Sequence, residues 1–322
     1  MEHNGKAYKL HIGDPAVSAH GGQIRGREIR SDFSVNTNPY GMPPKVKCAL
    51  SSLEESCETY PSLSYRELRS AVAAYEKRTY LSSAAPMREA LSEDHIVVGS
   101  GASELIMALA HANREKKVLL QAPAFSGYER AFLTASCDVR YMEQGTDFSI
   151  ASTVPSKIRE SKPDIVMLAQ PSNPVGAMCD PALLKEIVSA CIETGSLFVS
   201  DECFLVFLER AGERSVASQM LADANFVVLR AFTKAFAMPG VRLGYALCSK
   251  RDTANALRAQ LPEWNVSGIA ESLGVIALSE ADLIKEQAAS IREERKELEA
   301  ELVKRGCNTV KGEANYIFFS SD

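Results

Sequence analysis

The sequence predicts an α/β protein built on a mainly parallel β-sheet, and three observations lead there. Short apolar runs at Ile96-Val97-Val98, Val118-Leu119-Leu120, Ile165-Val166-Met167-Leu168, Leu197-Phe198-Val199 and Phe226-Val227-Val228-Leu229 read as buried strands. Helix-length segments separate them, which is the spacing of parallel strands rather than hairpins. Glycine-, proline- or polar-rich turns follow the strand ends, where sheets of this kind bind their ligands.

The elements follow in order. The first thirty residues are rich in Gly, His and charge, lack any period, and read as an extended arm. After Tyr60-Pro61, apolar residues at Tyr65, Leu68, Val72 and Tyr75 fit one helix face, with Ser64 and Glu67 resembling a capping box. Residues 81–93 read as a loop, and the alternation of strands and helices begins at Ile96. Beyond about residue 250 the pattern changes. Residues 281–305 are dense in charge, with Leu283, Ile284, Ala288, Ile291, Leu298 and Leu302 near helical spacing, as on a solvated amphipathic helix. Ala314-Asn315-Tyr316-Ile317-Phe318-Phe319 reads as a last strand.

Composition narrows the function classes. A chain of 322 residues holds a sizeable core and about two domains. Its 46% hydrophobic and 24% charged residues are those of an ordinary soluble protein. A net charge of −5 with both signs interspersed argues against nucleic-acid binding. No run of about 20 apolar residues predicts a membrane helix, and residues 1–6 lack a signal-peptide core, so a cytoplasmic protein is expected. The eight cysteines lack paired spacing and read as reduced packing residues. No C-x-x-C occurs and all five histidines precede residue 112, so neither a zinc site nor a His-dependent triad is expected. No metal is predicted.

The chemistry centres on Lys234, in the run Ala231-Phe232-Thr233-Lys234-Ala235-Phe236-Ala237-Met238-Pro239-Gly240-Val241-Arg242. Apolar surroundings and the nearby cation Arg242 disfavour an ammonium and free the amine to attack a carbonyl. Three further turns stand at strand ends. Gly99-Ser100-Gly101-Ala102-Ser103 opens a helix and can hold a phosphate on its N–H groups. Gln170-Pro171-Ser172-Asn173-Pro174-Val175-Gly176 can aim the Asn173 amide at a phenolic oxygen, with Asn173-Pro174 a candidate cis bond. Asp201, with Glu202 as a competitor, can pair with a protonated pyridine nitrogen, and Phe125 can stack on a planar ring. Each feature alone has an ordinary structural reading; their order suggests Schiff-base chemistry with pyridoxal phosphate.

On these residues the chain resembles the fold-type-I, pyridoxal-phosphate-dependent aminotransferases of class I/II, from roughly residue 20 to its end. The resemblance implies a three-layer α/β/α large domain over residues 36–250, after an arm over 1–35. It also implies a smaller α/β domain over 251–322, expected to be incomplete because the family continues past this strand and supplies a carboxylate-binding arginine. Carried over, Lys234 would hold the cofactor, Asp201 the pyridine nitrogen and Asn173 the ring hydroxyl, with Phe125 against the ring. Gly101, Ala102, Ser103, Thr233 and Arg242 would hold the phosphate, and Tyr60 would reach it across a homodimer interface. Glu202 yields to Asp201 in this comparison.

Two subfamilies compete. His20-Gly21-Gly22, Ser31-Asp32-Phe33-Ser34-Val35-Asn36-Thr37-Asn38-Pro39 and Asp201-Glu202-Cys203-Phe204 resemble threonine-phosphate decarboxylase. Asn38-Pro39-Tyr40-Gly41 and Tyr65-Arg66-Glu67-Leu68 also resemble histidinol-phosphate aminotransferase, which usually has tyrosine where this chain has Phe204. The decarboxylase-like features are more numerous, so a small phosphorylated amino acid or amine is the expected substrate, with His20, Asn38 and Tyr40 its candidate contacts. A non-catalytic pyridoxal-phosphate-fold protein is the remote alternative. A nucleotide-binding protein is disfavoured, since the turn at 99–103 lacks both G-x-G-x-x-G and G-x-x-x-x-G-K-[ST].

Overall fold

Strands buried at nearly every position form the centre of the protein. The computed structural model describes residues 21, 22, 28, 30–219 and 223–321. A seven-stranded sheet is formed by β1 (Ile96–Gly99), β2 (Lys117–Leu120), β3 (Asp138–Tyr141), β4 (Ile165–Ala169), β5 (Leu197–Asp201), β6 (Phe226–Ala231) and β7 (Gly244–Cys248). Their order is β1-β7-β6-β5-β4-β2-β3. The pairings β2–β3, β2–β4, β4–β5 and β5–β6 are parallel, while β7 runs antiparallel to both β1 and β6. The expected mainly parallel sheet is therefore present. Sequence periodicity had not revealed β3, whose residues are largely exposed or half-buried, or β7.

Because successive side chains point to opposite faces, each central strand feeds two cores. Val166, Leu168, Phe198, Phe226 and Val228 join one apolar cluster, while Ile165, Met167, Leu197, Val199, Val227 and Leu229 join the other. Strands buried on both faces need helices on both sides. Helices Ala102–Ala112 and Ser126–Thr134 contribute Leu105, Leu109, Tyr128 and Phe132 to the second cluster; Arg66–Thr79 and Pro181–Thr194 contribute Leu68, Val72, Leu184 and Ile187 to the first.

Three expectations need correction. The capping box at Ser64 and Glu67 is absent. Tyr65 is buried in a left-handed conformation (φ 45°), its hydroxyl donates to the Val266 carbonyl (3.2 Å) and accepts from the Val266 N–H (3.1 Å), and the helix starts after it at Arg66. The predicted loop at 81–93 holds a short helix, Met87–Ala90, and a 3-10 turn, Glu93–His95. The last strand is shorter than its apolar run: β9 (Phe318–Ser320) pairs with β8 (Asn308–Val310) in a separate antiparallel pair. Residues before it instead fold over the loop at 170–176. Helices Arg251–Arg258 and Gly268–Leu278 bury Leu257 and Leu273 in the two large cores.

The long helix Ala281–Lys304 matches its predicted amphipathic character. Ala281, Ile284, Ala288 and Ile291 are buried as expected, whereas Leu298, also expected on the apolar face, is exposed. No helix among the described residues is long and apolar enough to cross a membrane. Residues 1–36 and 37–322 form two separate units. Within the first, the Ser34 hydroxyl accepts from the Gly22 N–H (2.8 Å) and donates to the Asp32 carboxylate (2.5 Å).

Candidate active site

The parallel strands end on one edge of the sheet, and the predicted site residues lie just beyond those ends. Register aligns them: Ala169 at the end of β4 pairs with Asp201 at the end of β5, which pairs with Leu229 on β6. Two residues after β6 ends, Thr233 and Lys234 fall in the short helix Phe232–Ala235.

The Lys234 amine lies 5.1 Å from the centroid of the Phe204 ring. Burial lowers its pKa from the ordinary lysine value of 10.5, against the opposing pull of the Cys203 thiol and the Asp201 carboxylate. A partly desolvated amine with a lowered pKa has a larger neutral fraction, which suits it to attack a carbonyl and to exchange protons.

Strand alternation separates the two neighbouring acids. Asp201 is buried on the side of Tyr128, whose hydroxyl donates to Asp201 Oδ2 (2.6 Å), while the Cys203 N–H donates to Oδ1 (3.0 Å). Glu202 faces the other core, where Arg230 lies between it (3.0 Å) and Glu76 (2.6 Å). Glu202 also accepts from the Ser215 hydroxyl (2.9 Å) and the Val216 N–H (2.8 Å). These bonds commit Glu202 to the interior and leave Asp201 as the carboxylate on the Lys234 side.

Two segments meet at the phosphate end. Gly101 precedes helix Ala102–Ala112 with φ 84° and ψ 167°, backbone angles that a side chain rarely tolerates. A Cβ at Gly101 would also stand 2.5 Å from Arg242 Nη2, so the glycine is what lets the guanidinium come so close. Arg242 itself is exposed, in a left-handed conformation (φ 57°), and donates to the Pro239 carbonyl (3.2 Å). The first-turn N–H groups of Ala102 and Ser103 are at a helix N-terminus beside this cation, an arrangement that suits a phosphate dianion.

Asn173 lies in a loop with cis bonds at Gln170-Pro171 and Asn173-Pro174. Within the loop the Gly176 N–H donates to the Ser172 carbonyl (2.6 Å). The C-terminal segment holds it from outside: the Tyr316 hydroxyl donates to the Ser172 carbonyl (2.7 Å) and the Glu313 N–H to the Gly176 carbonyl (2.7 Å). Tyr316 also meets Phe204 edge-on, with centroids 5.0 Å apart. Phe125 immediately precedes helix Ser126–Thr134, and its ring meets Tyr128 at 80° with centroids 5.5 Å apart.

The remaining candidates stand differently. His20 lies outside the described residues. Tyr60 is 79% exposed and packs on Trp264, ring centroids 4.6 Å apart. Asn38 is 2% exposed and its amide is engaged within the protein. Its Nδ2 donates to the Ala235 carbonyl (3.0 Å) and to Gln287 Oε1 (2.8 Å), and its Oδ1 accepts from the Tyr40 N–H (3.0 Å). Tyr40 is half-exposed beside it. Sequence reasoning overlooked Tyr128 and the inward role of Tyr316. Tyr128 had a readable signal, since it stands three residues after Phe125, in the first turn of the helix that Phe125 precedes.

An amine, a buried carboxylate and a cationic helix N-terminus, with an aromatic ring nearby, fit the reactive, basic and phosphate ends of pyridoxal phosphate. The aminotransferase class I and II family matches residues 29–321, and the chain belongs to that family. It is a pyridoxal-phosphate-dependent enzyme. Among its relatives, the threonine-phosphate decarboxylase of Salmonella typhimurium is 28% identical over 93% of this chain and 81% of its own length. A histidinol-phosphate aminotransferase of Acidovorax sp. is 29% identical over 82% of this chain and 70% of its own. The histidinol-phosphate aminotransferase from Clostridium acetobutylicum superposes with a TM-score of 0.78 at 26% identity, covering 90% of this chain and 82% of that one. The enzyme from Sinorhizobium meliloti in complex with pyridoxal-5'-phosphate shares the fold (TM-score 0.79, 20% identity, 91% of this chain and 76% of that one).

Proposed function

We propose that the chain acts on a small phosphorylated amino acid and, specifically, decarboxylates L-threonine O-3-phosphate. The observation that carries this reading is Phe204, a buried ring without a hydroxyl 5.1 Å from the Lys234 amine. A tyrosine there, as in the aminotransferase subfamily, would give the cofactor's ring oxygen a second donor. With phenylalanine, that oxygen depends on Asn173. The similarity to a threonine-phosphate decarboxylase over 93% of the chain supports the same reading.

Pyridoxal phosphate, when bound, supplies an electron sink for the bonds at the substrate's Cα. The protein's part is placement and proton handling. Lys234, with its lowered pKa, provides the amine that carries the cofactor and a base positioned for protons at Cα. Asp201 would accept the pyridine N–H, Asn173 would donate to the ring oxygen, and Phe125 would pack against the ring. Arg242, Thr233 and the N–H groups after Gly101 would hold the phosphate. Tyr60 joins them from a second copy, since its exposed ring, with exposed Leu63 and Trp264, offers an apolar surface for a homodimer.

The second reading, histidinol-phosphate aminotransferase, draws on the tight turn at Asn38-Pro39-Tyr40-Gly41, where the Gly41 N–H donates to the Asn38 carbonyl (3.1 Å), and on the Clostridium acetobutylicum likeness. Two incubations separate them. Release of CO2 from threonine phosphate supports the decarboxylase. Formation of glutamate from histidinol phosphate and 2-oxoglutarate, without that CO2, overturns it in favour of the aminotransferase.

A further inference from the structure

The Asp201 carboxylate is held by a residue that none of the roles above uses. Tyr128 is 3% exposed, and its hydroxyl is 2.6 Å from Asp201 Oδ2. The Cys203 N–H holds the other oxygen at 3.0 Å. Two donors, one on each oxygen, stop the carboxyl group from turning about its Cβ–Cγ bond and so fix where its remaining lone pairs point. The same tyrosine ring stands at 80° to Phe125, and its N–H donates to the Phe125 carbonyl (3.1 Å). One side chain therefore touches both the carboxylate and the aromatic ring assigned to the cofactor.

We propose that Tyr128 is a positioning residue for the cofactor ring, orienting Asp201 toward the pyridine nitrogen and Phe125 toward the ring face through one buried hydroxyl and one ring edge. The inference rests on the assignment of Asp201 to that nitrogen. Its chemistry favours a fixed donor. Burial, reinforced by the Asp201 charge, holds the phenol proton on oxygen far above the ordinary tyrosine range. Tyr128 thus donates and never competes as a second anion. A hydrogen bond to a charged group is among the stronger kinds, so its loss is visible in cofactor binding. Lys234, Tyr316 and the Cys203 thiol, which also hydrogen-bonds the carboxylate, are the other polar groups acting on Asp201.

The test compares wild type, Tyr128→Phe and Asp201→Asn. Tyr128→Phe keeps the ring against Phe125 and removes only the hydroxyl, and far-ultraviolet circular dichroism checks that the fold is kept. Pyridoxal phosphate affinity is read by quenching of Trp264, the single tryptophan, and the cofactor's visible band is recorded for each protein. We expect Tyr128→Phe to weaken cofactor binding roughly 10-fold, the size of one charge-assisted hydrogen bond. Its visible band should move in the direction of Asp201→Asn by a smaller amount, and kcat should fall while KM for the amino substrate stays within about twofold. If Asp201→Asn changes affinity and band but Tyr128→Phe changes neither, Tyr128 only packs, and the inference is overturned while the site assignment stands. If Asp201→Asn changes neither, the assignment of Asp201 fails and the inference falls with it.

Discussion

The Asn38 N–H donates to the Lys234 carbonyl over 3.0 Å, so a residue nearly two hundred positions upstream is tied to the backbone of the reactive lysine. Asn38 adds an amide bond to the next carbonyl, Ala235, and a second to Gln287 on the long helix Ala281–Lys304. The turn that carries Lys234 is thus joined by one side chain to an element far along the chain.

Asn38→Ala should therefore destabilise the protein. It removes both amide bonds and leaves the Ala235 carbonyl and Gln287 without those partners, a loss of about 2–3 kcal/mol. Denaturant unfolding of the apo-protein measures it. A change below about 0.5 kcal/mol would mean that the amide is not a structural tie.

Gly101→Ala should weaken cofactor binding. The new Cβ meets Arg242 Nη2 at 2.5 Å, on a backbone with φ 84°. Both the steric contact and the left-handed strain, about 1–3 kcal/mol, push the guanidinium and the helix N-terminus apart. Titration with pyridoxal phosphate should give an affinity at least about tenfold lower; unchanged affinity would remove Gly101 from the phosphate site.

Arg230 lies between Glu76 and Glu202, all three buried. The Tyr245 hydroxyl also donates to Glu76 (2.6 Å), and Arg230 packs over the Tyr80 ring. Arg230→Met strands two carboxylates and should cost about 3–5 kcal/mol. Arg230→Met combined with Glu76→Gln and Glu202→Gln should recover much of that loss, since no unpaired charge remains. Thermal unfolding of the single and triple variants checks both statements.

Stability of the apo-protein should depend on pH through Lys234. Burial places its folded pKa below the ordinary 10.5, so between the two values the unfolded chain binds more protons and stability rises with pH. The contribution is complete above 10.5 and is lost as pH falls through the folded value. Lys234→Met removes it. The apo variant should be more stable than apo wild type at neutral pH, and the gap should narrow as pH approaches 10. A gap constant with pH would mean that the amine is not desolvated.

The fold, and the place of the candidate site residues at the edge of its sheet, were legible in the sequence to the extent that apolar runs and turn residues are local signals. Asp201 ends β5, and Asn173 and Lys234 lie within a few residues of the ends of β4 and β6, so reading the strands also placed these candidates. Tyr65 was misread because its burial against Val266, a contact across two hundred residues, overrides the local capping pattern. Asn38 was read as a substrate contact because an asparagine before a proline carries no mark of the three partners that engage its amide. Tyr316 was read as part of a strand because its apolar neighbours do not record that its hydroxyl closes on Ser172. In each case the missing information was a long-range contact.

The most direct test of the account is to reduce the pyridoxal-phosphate-loaded protein with borohydride, which fixes the cofactor to the amine it has condensed with, and to map the labelled peptide by mass spectrometry. The account predicts a single label on Lys234, in the peptide that follows Arg230, and none in Lys234→Ala. A label on another lysine, or no label in a protein that has been loaded with cofactor, would contradict it.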